Sequence, residues 1–122
     1  MNDSASEAVD VSSLLMLRQM QRPGAQDAVG RIVDRFLEET PERGATLRTA
    51  SENSDAHLLE QAAHAMKGIA GTVGANEMRD VADLLENLGR TGTTDGAHTL
   101  VVALEHALTR ARPVFEALKG TA

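Results

Sequence analysis

The stretch from Ala56 to Gly74 reads AHLLEQAAHAMKGIAGTVG, and the spacing of its apolar residues decides the fold class. Leu59, Ala62, Met66, Ile69 and Val73 recur three, four, three and four residues apart. That is the period of one buried face of an α-helix. The spacing predicts a helix from Ala56 to about Thr72, with Asp55 as its N-cap and Gly74 as a left-handed stop. At about 100° per residue, His64 falls half a turn away from the apolar stripe. His57, Gln61, Gly68 and Gly71 share that exposed face, and Lys67 sits close by.

The same period extends outward on both sides. Downstream, Asn76 is the expected cap of a helix carrying Met78, Val81, Leu85 and Leu88, closed by Gly89 and Gly92. After a short loop, a last helix runs from about Asp95 to Lys119, with Ala97, Leu100, Leu104, Leu108, Ala111, Phe115 and Leu118 on its stripe. Pro113 is expected to bend its final turns. Upstream, a helix from about Ala25 to Ala50 carries Val29, Val33, Phe36, Thr40, Leu47 and Ala50, and resumes in phase beyond Pro41, which predicts a kink rather than a break. Arg22-Pro23-Gly24 is a turn signal. Before it, Asp10 can cap a short helix from Val11 to Met20. Met16, Met20, Met66 and Met78 fall at helical spacings and read as core filler.

No stretch reads as a strand. The fold class is therefore all-α. Short connections make sequential helices antiparallel, so the expected architecture is an up-down-up-down four-helix bundle with a short additional N-terminal helix. Residues 1–10 are small, polar and acidic and read as a flexible tail, with the bundle domain over residues 11–119.

Composition narrows the function classes. Hydrophobic residues make up 42 % of the 122, enough for one core. Aromatics are 2 %, so that core is built from aliphatic residues, which suits helix packing better than a sheet. The net charge of −6 repels phosphate backbones and anionic membranes and disfavours a nucleic-acid role. With no cysteine, disulfides, thiol nucleophiles and cysteine-ligated zinc are excluded together. No apolar run approaches the roughly 18 residues of a membrane span, and no signal-peptide pattern opens the chain. The expectation is a soluble cytoplasmic protein.

The exposed face of the Ala56–Thr72 helix carries the chemistry. A helix that places Gly68 and Gly71 on its outer face gives up roughly 1 kcal/mol for each relative to alanine. The return is a flat strip beside His64, open to another surface. A neutral imidazole has one ring nitrogen with a free lone pair near pH 7 and can act as a nucleophile toward phosphorus. The product carries about two negative charges, and Lys67, one turn on, can offset them. Positioning and electrostatics dominate phosphoryl transfer, so a minimal site suffices when the partner supplies a metal ion.

Ala63-His64-Ala65-Met66-Lys67-Gly68, followed by Gly71-Thr72-Val73-Gly74-Ala75, closely resembles the signature of the histidine-containing phosphotransfer (HPt) domain family. Phe36-Leu37-Glu38-Glu39-Thr40-Pro41-Glu42 is similar to the family's second helix, including its Thr-Pro. The resemblance spans about Val11 to Leu118. It implies a cytoplasmic phosphocarrier of multistep two-component phosphorelays, not an enzyme with its own ATP-binding kinase domain. Its partners would be response-regulator receiver domains and a hybrid sensor histidine kinase. By resemblance, His64 is the phosphoacceptor, Lys67 supports the phosphate charge, and Gly68 permits docking. No cofactor is implied on this chain, since the family's Mg2+ is held by the receiver. Two positions depart from the pattern: Met66 replaces a commoner Leu, and Ile69, expected on the buried stripe, replaces a small residue.

Other residues read more plainly. A lone exposed histidine is ordinarily just solvated, and only the Lys67-Gly68-Gly71 context lifts His64 above that. His57 lies about 10 Å along the axis from His64, too far to share a zinc ion. Together with Gln61 it belongs to the expected docking face; His98 and His106 read as surface or boundary residues, and no metal site is expected. Glu38, Glu39 and Glu42 form a solvated face. No glycine-rich nucleotide loop is present. Two alternatives share the fold: a docking module that binds a receiver without passing phosphate onward, and an HPt segment of a hybrid or chemotaxis-type kinase. The Met start and the end soon after the last helix favour a free-standing protein, and the self-contained bundle favours a monomer.

Overall fold

The computed structural model describes residues 8–119 as five helices with no strand among them. They are α1 (Ser12–Met20), α2 (Ala28–Glu52), α3 (Ala56–Val73), α4 (Asn76–Arg90) and α5 (Ala97–Lys119). The main contacts pair α2 with α3, α3 with α4, α4 with α5, and α5 with α2, while α1 rests on α2. One continuous core fills the space between them.

The boundaries of α3 follow from its end residues. The Asp55 side chain accepts from the Leu58 amide at 3.0 Å, and Gly74 closes the helix at φ 83°. Gly74 also meets a close neighbour, because a Cβ there would stand 1.9 Å from the Asp10 carbonyl oxygen. The Asp10 amide donates to the Gly74 carbonyl at 2.8 Å, and the Glu77 amide donates to Ala8 at 3.0 Å. Ala8 and Asp10, at the end of the expected tail, thus bond to the α3–α4 junction; residues 1–7 of that tail lie outside the described residues. Val11, not Asp10, is the N-cap of α1 and makes no side-chain cap bond; Asp10, one residue earlier, accepts from the amide of Ser12, the first helical residue, at 2.9 Å.

Helix α2 runs unbroken through Pro41. Its buried members include Val29, Val33, Phe36, Thr40, Leu47 and Ala50, the stripe read from the sequence. Thr40 is buried because its hydroxyl donates to the Phe36 carbonyl at 2.7 Å. The helix begins at Ala28, slightly beyond the expected start near Ala25, because Asp27 caps it by accepting from the Gly30 amide at 2.9 Å. The two phenylalanines meet in the core, with Phe36 and Phe115 ring centroids 4.7 Å apart and tilted by 48°. Helix α5 begins at Ala97 and continues through Pro113.

Several side chains depart from expectation. Asn76 is the first helical residue of α4 rather than its cap, and its side-chain oxygen accepts from Arg79 at 3.0 Å. Gly89 does not end α4. It lies inside the helix, where a Cβ would stand 2.7 Å from both the Ala56 carbonyl oxygen and the Glu60 nitrogen. Glycine there lets the two backbones approach closely. Met66 and Met78 are buried, but Met16 and Met20 are 61 % and 73 % exposed on α1, so they are not core filler. A nine-residue helix that packs mainly against α2 cannot bury both of its sides. Ile69 is only half-buried, because Ala63 and Ala70 complete the buried face of α3 in its place.

Candidate functional site

The α3 stripe turns Leu59, Ala62, Met66 and Val73 inward and leaves His64 outward, with its side chain 72 % exposed. His57, Gln61, Gly68 and Gly71 are exposed too. A Cβ on Gly68 would meet nothing within 4 Å, and one on Gly71 only the Arg79 Cδ at 3.8 Å. The flat strip beyond the imidazole is therefore present. His98 and His106 are exposed on α5 and stand apart from it.

The residue that organises the site comes from α4 and was not singled out in the sequence. Glu86 is buried, its side chain 5 % exposed, directly under the α3 surface. Its Oε2 accepts a hydrogen bond from His64 Nδ1 at 2.7 Å. Its Oε1 pairs with Lys67 Nζ at 2.5 Å. Arg90 Nη2, one turn along α4, donates to Oε2 at 3.1 Å, and Arg90 Nε also reaches Glu60 on α3 at 3.5 Å. A buried carboxylate so surrounded stays ionised, because desolvation is offset by paired charge. Lys67 chiefly, with His64 adding, holds the Glu86 carboxyl below its ordinary range against the upward push of burial.

Lys67 is not free on the surface. It lies between Glu86 and Asp83, the latter at 3.1 Å, and both carboxylates raise its pKa, Glu86 more strongly. The site thus couples two residues of α3 to two of α4: His64 and Lys67 at i and i+3 face Asp83 and Glu86 at i and i+3. That matching of two cationic positions to two acidic ones on the next helix was the available sequence signal for Glu86.

The bond to Glu86 also determines the ring chemistry. An ionised carboxylate only accepts, so Nδ1 carries the proton. When the ring is neutral, Nε2 then holds the lone pair. Beside the ring, an open groove of about 490 Å³ runs between α2 and α3. Ile32, Phe36, Ile69 and Val73 supply its apolar lining, and Arg35, Glu39 and Arg43 its charged lining.

Among the described residues, no group of three or more His, Asp or Glu side chains is placed to hold a metal ion. No helix of these residues is long and apolar enough to cross a membrane.

The Hpt domain family model matches residues 31–113. Among solved structures, the crystal structure of histidine-containing phosphotransfer protein B (HptB) from Pseudomonas aeruginosa PAO1 is similar, with a TM-score of 0.84. The two sequences are 24 % identical, and the match covers 94 % of this chain and 96 % of that one. At that identity the likeness speaks for the fold. No curated protein sequence matches this chain.

Proposed function

Because this chain belongs to the Hpt domain family, the histidine phosphotransfer modules of phosphorelays, we propose that His64 is its phosphoacceptor and Nε2 the atom that takes the phosphoryl group. The observation that carries this is the 2.7 Å bond from His64 Nδ1 to the buried Glu86. It fixes the tautomer and supports the ring from below. A surface histidine with no chemistry to perform needs no such support, and neither does a module that only docks.

The transfer balances without a proton leaving the ring. The Nε2 lone pair attacks phosphorus of a receiver aspartyl-phosphate. The N–P bond forms as the P–O bond to aspartate breaks, and the aspartate departs as carboxylate. The phosphorylated ring keeps its Nδ1 proton and gains positive charge, which Glu86 offsets from 2.7 Å away. Passing the group onward reverses these events on a second receiver. The receiver would hold Mg2+, and this chain supplies nucleophile, orientation and charge.

Gly68 and Gly71 keep the approach open, and the α2–α3 groove offers the receiver apolar surface on one side of His64. Gln61 and His57 extend the same exposed face toward the start of α3. The architecture we favour is an up-down-up-down bundle of α2 to α5 with α1 as an accessory helix. The chain works as a cytoplasmic monomeric phosphocarrier between receiver domains and a hybrid sensor kinase, without kinase activity of its own.

The test is transfer from a phosphorylated receiver in Mg2+. Wild type is expected to gain an acid-labile, base-stable phosphate and to yield it to a second receiver. His64→Gln should gain none while still binding the receiver. Undiminished uptake by His64→Gln would overturn the assignment.

A further inference from the structure

Lys67 faces a competition that the site's geometry makes explicit. Its ammonium rests on the Nδ1 side of the site, 2.5 Å from Glu86 and 3.1 Å from Asp83. A phosphoryl group on Nε2 would stand at the far edge of the ring from Glu86. To neutralise it, Lys67 must turn away from at least one carboxylate. Glu86 is held by the cations Lys67 and Arg90 and by the Nδ1–H of His64, and its side chain is 5 % exposed. Asp83 is different. It is half exposed, it takes Lys67 on Oδ1, and Asn87 Nδ2 reaches its other oxygen at 3.5 Å. It makes no contact with the imidazole among these bonds. Removing its charge therefore takes one of the two carboxylates off Lys67, which lowers the cost of turning toward the phosphoryl group, while leaving the His64–Glu86–Arg90 arrangement in place.

We propose that Asp83 is a positioning residue that holds Lys67 back from the phosphoryl group, so that phosphohistidine keeps a high tendency to give its phosphate away. This rests on the reading of His64 as phosphoacceptor. A carrier must release what it accepts. A lysine fully committed to the phosphoryl group would deepen the phosphohistidine state and slow its onward passage. Asp83 acts on that balance through Lys67 alone, without touching the reacting atoms.

The experiment is a double-mutant cycle on the equilibrium partition of phosphate between this chain and one receiver that loads it, in Mg2+. Wild type, Asp83→Asn, Lys67→Gln and the double variant are compared, with Asp83→Glu as the conservative variant. Asp83→Asn is expected to shift the partition toward phosphohistidine by about two- to five-fold, the range of a half-exposed ion pair. In the Lys67→Gln background the same substitution should shift nothing, and Asp83→Glu should restore the wild-type partition. An equal shift in both backgrounds would show Asp83 acting by its own charge and would overturn the proposal. So would no shift, or a shift toward the receiver. In each of those outcomes the variants still load at His64, so the phosphoacceptor reading survives. If no receiver loads wild type, that reading falls and this proposal falls with it.

Discussion

His64 stands on the surface with its Nδ1 bonded at 2.7 Å to Glu86, a carboxylate buried beneath it on the neighbouring helix. Burying a charge for stability alone is a poor bargain, since apolar replacements of buried ion pairs are often neutral or stabilising. Its three partners, Lys67, Arg90 and His64, are 33 %, 54 % and 72 % exposed, so water can solvate them if Glu86 is lost. Glu86→Leu is therefore expected to change unfolding stability by less than about 1 kcal/mol in urea titrations. Phosphoryl uptake should slow by about ten- to a hundred-fold, the scale seen when a ring-orienting partner is removed. Equal losses in stability and uptake would show Glu86 to be structural only.

Acid should weaken the same ion pair. The folded pKa of Glu86 lies below the ordinary 4.5, chiefly through Lys67. A lowered carboxyl pKa contributes stability that is present above 4.5 and lost as pH falls through the folded value. Lys67, raised above 10.5, contributes stability below that pH which is lost as pH rises through its folded value. Urea unfolding of wild type and Glu86→Gln across pH should show a gap at neutral pH that narrows as pH drops below 4.5. A gap that widens in acid would contradict this reading.

Two glycines predict opposite outcomes. At Gly89 a Cβ would stand 2.7 Å from the α3 backbone, which cannot yield as a side-chain tip can. Gly89→Ala should push α4 from α3 and cost about 1–3 kcal/mol. At Gly68 a Cβ meets nothing within 4 Å. Gly68→Ala should stabilise the helix by up to about 1 kcal/mol while weakening receiver binding. Thermal melts check the first pair of signs, and titration with a receiver checks the last.

The core has one aromatic pair, Phe36 against Phe115, joining α2 to α5. Both rings are fully buried among aliphatic side chains. Phe115→Ala should cost about 3–5 kcal/mol in unfolding free energy. Isothermal urea unfolding measures it, and a loss below 1 kcal/mol would mean that the neighbouring helices close the gap.

The α3 sequence disclosed most of the site because one helix carries His64, Lys67, Gly68 and Gly71, and a single wheel places them. The α2 stripe was legible for the same reason. Glu86 was not, because a glutamate beside Leu85 reads as a solvated charge until the facing helix is known. Gly89 read as a helix stop because glycine's conformational freedom and its small size look alike in sequence, and only the α3–α4 approach separates them. Lys67 read only as support for the phosphate charge, because its partners Asp83 and Glu86 lie on the neighbouring helix. Met16 and Met20 on α1 read as core filler because the pattern cannot say how much surface a neighbouring helix will cover. Each miss depends on a contact between elements rather than within one.

The central claim is that Nε2 of His64 carries the phosphoryl group. The most direct measurement loads the chain from a phosphorylated receiver, maps the acid-labile phosphate by mass spectrometry, and identifies the bonded ring nitrogen by phosphorus and nitrogen NMR. The account predicts a single modified residue, His64, with phosphorus on Nε2. Phosphate on Nδ1, or on His57, His98 or His106, would contradict it.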